Sequence, residues 1–231
     1  RGTMSGGDED TAIEGLPLSG IEPGTTLFVS GPALSSAQGL ARALVLAGLD
    51  GGEAGLFIST NRPAAKLLDD CERAAPGFDP ARIGVVDCSG QEQVEDSRAR
   101  VETVSSPGDL TGIGIKFSML YEELYADGAE QVRSGLITVS TLLMYSDLRS
   151  VFRFVHTLSG RITTTDGIGV FAIDPETHDE QTVNTLNQLC DGRIDVREVD
   201  AADADGELRV RGLDGQPSGW TPFSLPDHRE S

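Results

Sequence analysis

The chain has 231 residues, with 37 Asp and Glu against 18 Lys and Arg, for a net charge of −19. This length suits one sizeable α/β core and is short for two. It holds no apolar run long enough to cross a membrane and no signal-peptide pattern at its start, and its charge opposes non-specific nucleic-acid binding, which needs a basic footprint.

Arg1-Gly2-Thr3 before Met4 reads as an expression scar, and residues 1–11 as a flexible N-terminus. One domain is expected over 12–226, with a tail at 227–231. Thr25–Ser30 reads as a buried strand, and Ser36–Leu49 as a helix with Leu40, Leu44 and Ala47 on one face. Gly55–Ser59 is the next strand. Pro63 sits where a helix can begin, and Leu67, Leu68 and Cys71 give that helix an apolar stripe. Ile83–Asp87 is a third strand, and Ser89–Thr111 is polar and reads as irregular. Ile113–Tyr125 carries Phe117, Leu120, Tyr121 and Leu124 at helical spacing. A fourth strand is expected within Gly135–Leu143. Asp147 can cap a helix whose apolar face is Leu148, Val151, Phe152 and Val155. Ile168–Ile173 is a fifth strand, and Thr177–Leu189 is helical in pattern. The tail holds short strands at Arg193–Val199, Glu207–Arg211 and Trp220–Leu225, separated by Gly and Asp turns.

A βαβ series with a β-rich end predicts a three-layer α/β fold. Its sheet would be mostly parallel, with helices on both faces and a C-terminal antiparallel β-hairpin.

Only two of the basic residues are lysines, Lys66 and Lys116, and the acids are dispersed. Such a surface resembles that of haloarchaeal cytoplasmic proteins. In molar salt the Debye length falls to about 3 Å and self-repulsion fades. We therefore expect a halophilic, cytoplasmic protein. Cys71, Cys88 and Cys190 have neither metal-ligand spacing nor a disulfide pattern, and they read as buried small side chains.

After the first strand comes Gly31-Pro32-Ala33-Leu34-Ser35-Ser36-Ala37-Gln38, then a helix. A phosphate-binding loop, G-x-x-x-x-G-K-[ST], occupies this place in nucleotide-binding folds. There lysine neutralises the outer phosphates, and Ser or Thr holds magnesium. Gly31 keeps the first glycine. Ser36 stands for the second, Ala37 for the lysine and Gln38 for the magnesium ligand. Gly31, Ser35, Ser36, Ala37 and Gln38 thus form a vestigial phosphate loop. A helix N-terminus can still attract an anion, but the cation and metal ligand for phosphoryl transfer are missing.

Several segments together resemble the RecA superfamily, in particular its archaeal KaiC-like ATPase branch and a haloarchaeal subgroup with degenerate Walker motifs. They are Gly20–Pro32, Ser106–Thr111, Ser140–Leu143 with Asp147-Leu148, and Arg211-Gly212 through Trp220–Leu225. The resemblance spans Ile21 to Leu225 and implies a RecA-like fold. It also implies that the Walker B aspartate falls near Ile137 and the water-activating acidic pair near Asn61-Arg62. None of these residues is a carboxylate. With lysine, magnesium ligand, Walker B acid and base all replaced, hydrolysis is not expected.

Asp174, before Pro175, reads as a turn starter. Arg149, Arg153 and His156 share one side of a helix and are expected to pair with the protein's own carboxylates. Gly112-Ile113-Gly114 is not a dinucleotide fingerprint, and it reads as a loop needing unusual backbone angles. The serines lack a His/Asp pattern, and no G-x-S-x-G elbow occurs.

The leading expectation is a non-catalytic regulatory or signalling module without cofactor, acting on an unidentified protein partner, with a homodimer open. One alternative is an ATP-binding protein with an atypical loop. Another is a nucleic-acid-associated regulator, which would require an arginine-rich face.

Overall fold

The computed structural model describes residues 15–33, 36–90, 97–200 and 203–225. The expected flexible N-terminus (1–11) and tail (227–231) lie outside them. Six helices are described: α1 Ala37–Leu46, α2 Ala64–Ala74, α3 Leu110–Ala126, α4 Val139–Tyr145, α5 Leu148–Thr164 and α6 Glu180–Asn187. The strands are β1 Thr26–Ser30, β2 Ala54–Ser59, β3 Ile83–Asp87, β4 Arg100–Thr103, β5 Val132–Ile137, β6 Ile168–Ile173, β7 Gly192–Arg197, β8 Gly206–Arg211 and β9 Thr221–Phe223. They form one sheet in the order β4-β3-β2-β5-β6-β1-β7-β8-β9. β4 through β7 in this order run parallel, and β8 and β9 close the edge antiparallel.

β1, β2, β3 and β6 are buried along their whole length. Helices pack on both faces, so these strands read as unbroken apolar runs rather than alternating ones. On one face Leu27, Val29, Phe57, Val170, Ile194 and Leu208 pack under α1 and α2. On the other, Phe28, Leu56, Ile58, Leu136 and Phe171 pack under α3, α4, α5 and α6. Phe28 and Phe171 meet edge-on at 6.0 Å, in the arrangement aromatic rings prefer. Gly135 lets α1 lie close to β5, since a Cβ there would come within 2.9 Å of Val45 Cγ2.

The three-layer, mostly parallel architecture with its terminal hairpin is as expected. Four local expectations are corrected. The segment Ser89–Thr111 is not wholly irregular, because Arg100–Thr103 forms β4, pairing with β3 in parallel. An edge strand of half-exposed side chains carries little apolar signal. The strand placed within Gly135–Leu143 begins earlier, at Val132, and Val139–Leu143 belongs to α4. Thr138 makes that switch, its hydroxyl accepting from Thr141 N–H at 3.3 Å. The helix expected over Thr177–Leu189 is shorter, Glu180–Asn187, because Asp179 caps it by accepting from Thr182 N–H at 2.7 Å. Gly112 and Gly114 lie inside α3, not in a loop. Asp109 caps that helix, and Gly114 faces Phe154 of α5, at ordinary van der Waals distance even from a Cβ.

Asp147 caps α5 as expected, accepting from Ser150 N–H at 3.0 Å. No helix among the described residues is long and apolar enough to cross a membrane.

Candidate functional site

In open parallel sheets, ligands bind at the C-terminal ends of the strands. Here the ends of β1, β2, β5 and β6 form that crest. Gly31 leaves β1 with its N–H donated to Ile173 O at 3.2 Å. Ser35 lies outside the described residues. Ser36 precedes α1, and its carbonyl accepts from Leu40 N–H at 2.8 Å. Its hydroxyl is buried and finds no hydrogen-bond partner among the described residues. Ala37, the first residue of α1, is buried in the apolar core. Gln38 Oε1 accepts from Asn61 Nδ2 at 3.4 Å. The start of α1 and the turn after β2 are therefore joined through these two side chains.

The hydroxyls of Thr60, Ser59 and Ser140 along the crest are spent on the backbone. Thr60 Oγ1 accepts from Thr138 N–H at 2.7 Å and donates to Thr138 O at 3.0 Å. Ser59 Oγ donates to Arg62 O at 2.6 Å. Ser140 Oγ accepts from Asp174 N–H at 2.9 Å. The Asp174 carboxylate accepts from Glu176 N–H at 2.9 Å, the turn role its sequence context gave it. Ile137 is 4 % exposed and packs in the core under α1.

The C-terminal hairpin leans on the loop. A Cβ on Gly206 would lie 2.7 Å from Ser36 Oγ, and one on Gly39 would lie 2.6 Å from Leu225 Cδ1. The flank of the loop is thus occupied by the chain itself.

Arg62 ion-pairs with Asp70, which also meets Arg73 and, at 3.6 Å, Arg42. Asp87, at the end of β3, was not singled out by sequence. It accepts from Ala64 N–H at 2.7 Å and Ser89 N–H at 2.8 Å, so it fixes the start of α2. Burial, with the Asp87 and Asp109 charges, pushes the neighbouring Cys88 thiol up to about 12, which keeps it neutral and unreactive. Burial also pushes the Cys190 thiol upward. Among the described residues no group of three or more His, Cys, Asp or Glu is arranged to hold a metal.

A second polar constellation lies on β7 and β8. Arg193, Asp195 and Arg197 alternate on β7, opposite Arg211, Arg209 and Glu207 on β8. Asp195 is buried and meets Arg193 at 2.5 Å, Arg209 at 3.0 Å and Arg211 at 3.1 Å. Arg197 and Arg209 lie over the Trp220 ring at 4.3 and 4.4 Å from its centroid. Sequence reasoning missed this cluster. The signal was the period-two spacing of Arg193/Arg197 and Arg209/Arg211, which puts each pair on one sheet face.

Arg149 and Arg153 do not behave as expected. Both are exposed, and neither guanidinium meets a carboxylate among the described residues. Asp147, two residues before Arg149, is committed to its cap. His156 instead stacks on Phe152.

Residues 24–196, from the turn before β1 to the end of β7, match a family of unknown function, DUF7504. The chain belongs to DUF7504. No curated protein matches it. The DUF7504 match takes in the whole crest, whereas Arg209, Arg211 and Trp220 lie beyond it.

Proposed function

We propose that this DUF7504 chain is a non-catalytic RecA/KaiC-like module of a salt-adapted cytoplasm, acting as a regulatory or signalling protein through contacts with other proteins. The observation that carries this reading is the Gln38–Asn61 hydrogen bond across the crest. Two positions that would hold magnesium and activate water in an ATPase instead satisfy one another. The buried Ala37 and Ile137 and the hairpin against the loop support the same reading. A site for phosphoryl transfer works by positioned charge, and Ala37, Gln38, Asn61 and Ile137 carry none.

The test is isothermal titration of ATP with magnesium into the folded protein in multimolar KCl. No binding is expected. Saturable binding would replace this reading with that of a nucleotide-binding protein whose loop holds phosphate without lysine. The unpartnered Ser36 hydroxyl would then be the first group to mutate.

A second reading, a nucleic-acid-associated regulator, is favoured by the arginine cluster. Four arginines against Asp195 and Glu207 leave a cationic surface within an acidic protein. Trp220 is the only tryptophan. Its fluorescence therefore reports directly on this face. Salt-dependent quenching by a single-stranded oligonucleotide would support the second reading, and unchanged emission would remove it.

A further inference from the structure

We infer that the outer face of α3, α4 and α5 is where two copies of this chain meet. The exposed large apolar side chains among the described residues are Ile115, Met119, Met144 and Tyr145, and all four lie on α3 and α4. Tyr145 packs beside the start of α3, where a Cβ on Gly108 would lie 3.4 Å from its own Cβ. α3 and α5 are joined along their length by Gly114 against Phe154 and by Arg161, which donates to Ser118 Oγ at 3.0 Å. The apolar residues thus belong to one continuous helical layer.

Charge on this layer departs from the rest of the chain. Between Leu110 and Tyr121 there is no carboxylate, and between Val139 and Thr164 the only one is Asp147, which is occupied as a cap. α5 carries Arg149, Arg153 and Arg161 and no acid. With a net charge of −19, acidic surfaces brought into direct contact still repel in molar salt, because the contact distance is then no longer than the Debye length of about 3 Å. A contact through the acid-poor layer avoids that repulsion and covers the exposed apolar groups. The layer is also complementary to itself. Arg149 and Arg153, which meet no carboxylate among the described residues, stand exposed on α5, while Glu122 and Glu123 on the C-terminal half of α3 stay exposed although they meet Arg161 at 2.8 Å and Arg100 at 3.9 Å. A twofold contact presents each such surface with its opposite sign around an apolar centre, as an isologous interface requires.

This inference does not depend on whether the loop binds nucleotide. The experiment is sedimentation equilibrium of the full chain in 3 M KCl over a range of concentrations, for wild type, Ile115→Glu/Met144→Glu and Arg149→Glu/Arg153→Glu. Wild type is expected to sediment as a dimer. The apolar double variant should raise the dissociation constant at least tenfold, and the charge-reversal variant should raise it by a smaller factor. Far-UV circular dichroism and unfolding midpoints confirm folding. Should Ile115→Glu disturb α3, Met144→Glu alone, at a side chain 79 % exposed, serves instead. A wild-type monomer at every concentration overturns the inference, as does a dimer whose dissociation constant neither variant changes.

Discussion

Asp70 and Asp195 are both buried carboxylates shared among three arginines, yet their surroundings differ. Asp70 ties together separate elements: Arg42 on α1, Arg62 on the turn after β2, and Arg73 on α2. Arg42 is itself only 12 % exposed, so the cluster closes a helix–helix seam. Asp195 gathers Arg193, Arg209 and Arg211 from two strands already joined by a backbone ladder. Those strands do not need the ion pairs to find each other. The first cluster is a clamp, and the second concentrates positive charge on a sheet surface. Like composition gives unlike roles because the partners' connectivity differs.

The largest expected effect is at the clamp. Asp70→Ala takes one buried carboxylate from Arg62, Arg73 and the nearly buried Arg42 together and should lower unfolding free energy by about 3 kcal/mol in chemical denaturation. Asp195→Ala removes hydrogen bonds to charged groups that are partly solvated, so about 1.5 kcal/mol is expected, along with a change in Trp220 emission. Equal losses at the two sites would erase the distinction drawn between them.

Much of the fold was legible because burial on both faces writes continuous apolar runs, as in Leu27-Phe28-Val29 and Val170-Phe171-Ala172-Ile173. The missed β4 has no such run, since its side chains are half-exposed. The Val132 start of β5 was hidden by Arg133, whose charge is absorbed by Glu53, its Nη2 lying 3.1 Å from Glu53 Oε1. In the candidate site, the replacements at Ala37, Gln38 and Ile137 were readable one at a time. Their consequence was not, because Gln38 and Asn61 are joined by tertiary structure and lie 23 residues apart. The arginine cluster was obscured for a related reason. Its β8 arginines meet Asp195 only once the β7–β8 register is known, since Arg209 faces Asp195 through that pairing.

Trp220 sharpens the contrast at smaller scale. Two guanidiniums over its ring should contribute about 1 kcal/mol together at a partly exposed site. Trp220→Ala is therefore expected to lower stability by a little more than that, counting lost apolar contact, while Trp220→Phe keeps most of it. If both variants unfold alike, ring burial rather than cation–π contact holds the hairpin.

The smallest effect concerns carboxylates that are shared with backbone rather than with arginine. Hydrogen bonds from Ser150 hold the Asp147 carboxyl below its ordinary value of 3.8, and those from Thr182 do the same for Asp179. A carboxyl depressed in the folded state contributes stability that is fully present above its unfolded value. That contribution is lost as pH falls through the folded value. Both side chains are exposed, so the contribution is small and screened by salt. Asparagine at each position keeps an N-cap acceptor but cannot titrate. The variant Asp147→Asn/Asp179→Asn should match wild type closely at neutral pH and lose less stability on descending below pH 3.8. The difference between the two pH slopes, not either slope alone, is the quantity to measure, because the remaining acids titrate in both proteins. A coincident pair of slopes would mean that these caps act through geometry rather than charge. Carboxylates that matter for their charge would then be confined to those that face arginine.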